Sequence, residues 1–255
     1  MWLRLRQIAL VASDIEEVVG DLTAVLGIEV AFVDPGVKVF GLENRLLPIG
    51  NQLLEVVAPI QEGTTGGRYL ERRGGDGGYM IITQTDDHAP RRARVEALGV
   101  RIAHSFEDGG LRNMQLHPKD TGGSFFEIDM VTIPGGEAPD GPWPPAGRDW
   151  ASHRRTEVVS AIAAAELQCD DPLDVARRWG AIAELPVEAG GAGASIRLEN
   201  ATLRFVPITD GRPEGLGGID VTVVDRDRAL AAAEERGLAV SGDRLDIAGM
   251  RVKLV

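Results

Sequence analysis

The sequence predicts an α+β fold assembled from tandem β-α-β-β-β modules, and three observations carry that expectation. A short apolar strand that runs through an acidic turn into a helix rich in Ala, Arg and Glu occurs four times, at 7–27, 80–99, 164–180 and 219–237. Each copy closes on a glycine: Gly27, Gly99, Gly180 and Gly237. Beyond each glycine a second strand recurs, LLEVVAPI around Glu55, FFEIDMV around Glu127, LRFVPI around Phe205 and MRVKLV at the C-terminus. Glu55 stands at the same offset after Gly27 as Glu127 does after Gly99, which makes the two glutamates structural equivalents.

The elements follow in order. Aspartates open each helix (Asp14; Asp86 and Asp87; Asp170 and Asp171; Asp225 and Asp227), where they cap free amides and suit the positive end of the dipole. Glycine permits the left-handed turn that ends a helix. Between Gly27 and Glu55 there is room for two more strands, IEVAFVD and VKVFGLE, with Asp34, Pro35 and Gly36 as the turn. GGRYLERRGG forms a short helix joining the first and second copies, with Arg68 and Arg72 on one face. Residues 133–155 are rich in Pro and Gly without any period and read as a linker between residues 1–132 and 156–255. Trp143 and Trp150 are too apolar for a free tether, so they pin the linker across a domain surface or form a lid over a cleft. The last copy leaves a shorter interval after its glycine, so at least one of its strands is trimmed or missing.

Composition narrows the function classes. With 44% apolar and 26% charged residues, a chain of 255 residues is an ordinary globular sequence long enough for two cores. A net charge of −12 argues against nucleic acid and anionic lipid as partners, because phosphate contacts need a basic face. No apolar run approaches a membrane span and no signal-peptide pattern precedes the first strand, so the expectation is a soluble, cytoplasmic protein. The lone Cys169 forms no intrachain disulfide and, beside two aspartates, reads as a packing residue.

The strand, aspartate, helix and glycine pattern with its acidic last strand, together with LHPKDTGGSFFEID at 116–129, resembles the vicinal oxygen chelate superfamily of glyoxalase I, methylmalonyl-CoA epimerase, extradiol dioxygenases and bleomycin-resistance proteins. The resemblance covers 1–132 well and 156–255 in outline. It implies two half-open barrel domains, each a pair of βαβββ modules, the first glyoxalase-like and the second degenerate. It also implies four inward-facing ligand positions per barrel, which hold Gln7, Glu55, Met80 and Glu127 in the first half and about Ala164, Phe205, Gly218 and Lys253 in the second. The family's two histidines are missing from the first set, and a Gln amide and a Met thioether replace imidazole poorly, so no metal cofactor is favoured. If a divalent metal binds, Gln7, Glu55 and Glu127 would hold it.

Strand alternation places Phe125 and Asp129 beside Glu127, and Leu53 and Val57 beside Glu55. Converging carboxyls in an apolar cleft repel, and one retains a proton near neutral pH, which is what a proton-shuttling isomerase or lyase uses. The other reading pairs such a glutamate with a neighbouring arginine such as Arg112. The working cleft is thus expected in the N-terminal half, with Glu127 and Glu55 catalytic, Gln7, Met80 and Phe125 lining it, and Arg68, Arg72 and His117 at its mouth. His88, His104 and His153 read as surface or capping residues. Three functions stay open: a glyoxalase- or epimerase-type enzyme acting on a small oxygenated acid or thioester, a metal-free small-molecule binder like the bleomycin-resistance members, and an inactive scaffold. The expected partner is a small molecule; a homodimer is an open arrangement.

Overall fold

The computed structural model describes residues 1–255 and contains two mixed sheets. The first comprises β1 (Leu3–Val11), β2 (Leu42–Ile49), β3 (Gln52–Pro59), β4 (Gly77–Thr85), β5 (Ile102–Asp108), β6 (Leu111–Leu116) and β7 (Phe125–Val131), in the order β2-β3-β1-β4-β7-β6-β5. The second comprises β8 (Val159–Cys169), β9 (Val187–Gly190), β10 (Gly193–Arg197), β11 (Thr202–Pro207), β12 (Gly215–Val223), β13 (Ala239–Ser241), β14 (Arg244–Ile247) and β15 (Met250–Leu254), in the order β13-β14-β15-β12-β8-β11-β10-β9. Helices α1 (Ile15–Leu26), α2 (Thr65–Arg73), α3 (His88–Ala97), α4 (Pro172–Ala183) and α5 (Arg226–Glu235) connect them. Each sheet has a pseudo-twofold plan: β1 and β4 run antiparallel at its centre, with β3 and β7 parallel to them outside, as do β8 and β12 with β11 and β15.

The acidic caps behave as the sequence indicates. Asp14, Asp87, Asp171 and Asp225 each accept a backbone N–H from the first turn of α1, α3, α4 and α5. Two details differ. Gly180 does not end α4, which continues to Ala183 and turns at Glu184 (φ 51°). It is glycine for packing, because a Cβ there would lie 2.5 Å from Val187 Cγ2. In the first module the stretch after α1 forms a 3-10 helix, Pro35–Phe40, and leaves only a single bridge, Phe32 to Leu46, where a third strand was expected. Pro35 has no amide to give a ladder, and Asp34 accepts from the Gly36 N–H, so the chain coils there. The last module, by contrast, keeps all three strands in shortened form.

The main core lies between the two sheets. Convex-face residues such as Leu54, Val56, Phe126 and Ile128 from the first sheet, and Leu203, Phe205 and Val221 from the second, enclose the apolar faces of α1, α3, α4 and α5. Trp179 of α4 is fully buried there, stacked on Phe126 at 4.1 Å and donating its indole N–H to Thr121 O at 3.0 Å. The concave faces therefore lie on the sides away from this shared core.

A bulge in each first strand joins the halves. Register shifts past Arg6 in β1 and past Ala163 in β8. The freed N–H and C=O of Leu5 are taken by the Asn200 amide (2.9 and 3.0 Å), and those of Ile162 by the Gln52 amide (2.7 and 2.9 Å). Side chains of one half thus stand in for a neighbouring strand of the other. The β1 bulge also changes parity, so Arg4 and Arg6 before it and Gln7 and Ala9 after it share the concave side. No helix is long and apolar enough to cross a membrane.

Candidate functional site

The concave face of the N-terminal sheet gathers the residues singled out from sequence. Gln7 pairs with Leu53 and Ala9 with Glu55 across β1 and β3; Met80 pairs with Phe125 and Ile82 with Glu127 across β4 and β7. Glu55, Met80 and Phe125 are 8% exposed and Glu127 5%, while Ala9, Leu53 and Asp129 on the same face have no exposure.

Segment 133–155 covers this face. Trp143 and Trp150 are 1% and 2% exposed and pack with Ala146 against Ala9, Leu53, Met80 and Phe125, while Tyr69 of α2 and Tyr79 close the flank. Arg4 and Arg6 hold the segment through its main chain: Arg4 donates to the carbonyls of Glu137 (2.8 Å) and Ala138 (3.0 Å), and Arg6 to those of Gly141 (2.8 Å) and Pro139. The Arg6 guanidinium also lies over both indoles, 5.2 Å from Trp143 and 5.0 Å from Trp150.

Two differently built acidic groups face each other across the sheet. Glu55 accepts from Gln7 Nε2 at 2.8 Å and from Asn44 Nδ2 at 2.6 Å, and Gln7 Oε1 accepts the Trp143 indole N–H at 2.9 Å. Burial raises the Glu55 carboxyl, and the two amide donors partly oppose it. Glu127 and Asp129 instead form a buried carboxyl pair. Burial pushes Glu127 up to about 7, with the Glu55 charge adding to the rise, and it pushes Asp129 well above the usual carboxylate range together with the Glu127 charge. Glu127 Oε2 and Asp129 Oδ2 have no partner of their own, which a proton held between the two groups resolves. Asn113 Nδ2 donates to Asp129 at 3.0 Å.

The remaining expected residues fall outside this cluster. Arg68 is exposed and bonds to Gly63 O and Thr65 Oγ1 of its own loop, and Arg72 is exposed with its guanidinium 4.9 Å from the Tyr69 ring. Arg73 is the buried member of that helix, and it reaches the C-terminal half at Pro213 O and Leu216 O. His117 caps a 3-10 turn by accepting from Lys119 N at 3.2 Å, a structural role. His88 is buried at 2% exposure, not a surface residue, because α3 turns its first residue towards the sheet. Arg112 does not pair with Glu127; it forms an exposed ion pair with Glu107 at 2.6 Å. Asn44 and Asn113 were missed, because Leu46 and Gln115 are the residues opposite Glu55 and Glu127 in the ladders; Trp143, expected to pin the linker or form a lid, packs on this face and donates to Gln7.

The arrangement also bears on a metal. Both Glu55 oxygens are engaged by amide N–H groups, Gln7 turns its N–H and not its oxygen to Glu55, and Met80 offers only a thioether. Among the four positions Glu127 alone keeps an unpartnered carboxyl oxygen, so the set offers a hard divalent cation few free oxygen donors. In the C-terminal sheet, register corrects one position. Arg204 pairs with Glu166 on the concave side as Glu55 does with Ala9, while Phe205 points into the shared core. The equivalents of Gln7, Glu55, Met80 and Glu127 are Ala164, Arg204, Gly218 and Lys253.

Comparison with known proteins agrees with this architecture. The chain is 28% identical over 136 residues to an ethylmalonyl-CoA/methylmalonyl-CoA epimerase of Cereibacter sphaeroides, a match covering 50% of this chain and 98% of the relative. Among solved structures, a mutant 4-hydroxymandelate synthase from Streptomyces coelicolor superposes with a TM-score of 0.68 at 17% identity, over 92% of this chain and 75% of that one. A methylmalonyl-CoA epimerase from Streptomyces coelicolor aligns at 23% identity with a TM-score of 0.47, over 52% of this chain and 100% of its own. The family model for the glyoxalase-like domain matches residues 8–185, well over half of the chain, and with the paired βαβββ sheets this establishes that the chain belongs to the glyoxalase-like domain family of the vicinal oxygen chelate superfamily.

Proposed function

We propose that this protein is a metal-independent proton-transfer enzyme of the isomerase or lyase type, acting in its N-terminal half on a small oxygenated acid or acyl thioester. The observation that carries the reading is the Glu127 carboxyl, pushed up to about 7 beside Asp129 and within reach of the Glu55 charge on the same concave face. A group titrating there gives and takes protons near neutral pH. In this reading Glu55 as carboxylate takes a proton from the carbon next to the substrate carbonyl. Glu127 as acid returns one to that carbon, leaving the protein with its proton on the other glutamate. Gln7 and Asn44 keep Glu55 aimed, and Phe125 and Met80 shape the apolar wall. The likeness to an ethylmalonyl-CoA/methylmalonyl-CoA epimerase supports acyl thioesters as the first substrates to try.

The cover formed by Trp143 and Trp150 favours a second reading, a protein that sequesters a small molecule beneath segment 133–155. One experiment separates them. The protein is incubated in deuterated water with methylmalonyl-CoA, ethylmalonyl-CoA and free 2-substituted malonates, and deuterium uptake at carbon 2 is followed by mass spectrometry. The enzyme reading expects uptake that falls by about 10²- to 10⁴-fold in Glu127→Gln and in Glu55→Gln with folding retained. Tight binding without uptake would leave the sequestering reading.

A further inference from the structure

The C-terminal concave face lacks a cover and holds an open cavity of about 310 Å³, lined by residues that include Glu166, Arg204, Val206, Asp220 and Lys253. Two of the four equivalent positions contribute to its lining. Where the N-terminal sheet has Gln7 and Met80, this one has Ala164 and Gly218, which lie outside the lining, Gly218 being packed against Arg251. Where the N-terminal sheet has the two glutamates, this one has Arg204 and Lys253. The same convergence of strands therefore presents cations at the rim of a void.

Both cations keep donors in reserve. Arg204 Nη2 binds Asp220 at 2.7 Å and Glu166 at 3.0 Å, but its Nε is buried without an acceptor. The rest of the Arg204 side chain lines the cavity and is about one third exposed. Lys253 Nζ has only Asp243, at 3.7 Å, which is beyond hydrogen-bond reach. Arg251 differs: Glu166 (2.9 Å), Asp210 (3.0 Å) and Gln168 (3.1 Å) occupy it on three sides, so it acts as a wall. The carboxylates nearby are Glu166 and Asp220 in the lining and Asp210, Asp243 and Asp246 at the rim, each facing an arginine or lysine.

We infer that this face is a binding site for a short carboxylic acid, its carboxylate held between Arg204 and Lys253 and its carbon body lying on Val206 and Pro207. A dianionic phosphate suits the site less well, since Glu166 and Asp220 oppose its second charge more than a single carboxylate and it has no use for the apolar side. The site is independent of the proton-transfer site, which lies on the other sheet.

The test is a titration of the full chain, labelled with ¹⁵N, with acetate, propionate and lactate at constant ionic strength, followed by NMR, with inorganic phosphate as the competing probe. Saturable shifts are expected at Arg204, Gly218 and Lys253. Lys253→Gln, at a half-buried position, should weaken carboxylate binding about tenfold, as lost charge-assisted hydrogen bonds do. Arg204→Gln should do the same if it folds, and Glu127→Gln on the other sheet should leave affinity unchanged. No saturable shift, shifts confined to residues 1–132, binding of phosphate alone, or unaltered affinity in Lys253→Gln would each overturn the assignment.

Discussion

The two concave faces share one strand plan and treat charge in opposite ways. On the N-terminal face carboxyls are buried among amides and aromatic rings, no cation reaches Glu55 or Glu127, and burial drives both towards the protonated form. On the C-terminal face guanidinium groups meet Glu166 and Asp220 at 2.7–3.0 Å, although Asp220 is as buried as Glu55. Identical register thus delivers side chains to equivalent points, and the partners they meet there set their charge. A buried carboxyl with no cation beside it is driven towards the protonated form, and one met by guanidinium groups becomes part of an ion-pair lattice.

The largest effect expected from this contrast is on stability. Trp143→Ala removes a buried indole from the N-terminal face and should cost about 3–5 kcal/mol, as large-to-small core changes do. Lys253→Ala on the open face should stay within about 0.5 kcal/mol, in the usual range for surface positions. Urea denaturation of the two variants measures both. Similar small losses would show that the linker tryptophan rests on the face without being part of its core.

A second effect is on the pH dependence of folding. The folded chain keeps a proton on Glu127 up to about 7, while the unfolded chain loses it near 4.5. The folded state therefore binds more protons in that window, and this contribution is fully present below 4.5 and is lost as pH rises through about 7, on the order of 3 kcal/mol in all. His88, lowered chiefly by burial, acts with the opposite sign, so the wild-type slope alone is ambiguous. Asp129 acts with the same sign as Glu127 and is raised in part by its charge, so the difference between wild type and Glu127→Gln reports the carboxyl pair: the variant should lose less stability between pH 4.5 and 7.5 in urea titrations. Parallel curves would mean that Glu127 is not protonated in the fold.

Much of this was legible in the sequence, for identifiable reasons. The repeat located β1, β4, β8, β12 and their helices because apolar strands, aspartate caps and glycine stops are local signals. Glu55 and Glu127 emerged as equivalents because their offsets depend only on module length. The 3-10 helix at Pro35–Phe40 was missed because a strand-like pattern of Val and Phe yielded to one proline and one aspartate side chain. Phe205 was assigned in place of Arg204 because a one-residue error in register exchanges the faces of a strand. The open C-terminal cavity was not legible at all, since its lining is drawn from β8, β11, β12, β14 and β15 and meets only in the folded sheet. The Trp143 contact with Gln7 spans 136 positions along the chain, and no local pattern announces it.

The smallest effect expected concerns that contact and is the most specific. Trp143, Gln7, Glu55 and Asn44 form one chain of hydrogen bonds, and Asn44 Oδ1 accepts in turn from the Asp34 N–H at 2.9 Å. The indole N–H fixes which end of the Gln7 amide is oxygen, and so presents an N–H to Glu55. Trp143→Phe retains most of the ring and removes that donor. Gln7 Oε1 is then buried without a partner, and the amide is free to turn its oxygen towards Glu55. The stability cost should be about 1 kcal/mol, well below that of Trp143→Ala. The Glu55 carboxyl should titrate higher than in the wild type, because it loses a donor that favours its charged form. Carboxyl ¹³C NMR measures this directly, and Asp220 on the other sheet, also raised by burial, serves as the internal control. A shift of Glu55 upward with Asp220 unmoved would establish that the linker tunes the N-terminal site, whereas an unmoved Glu55 would reduce Trp143 to a packing residue.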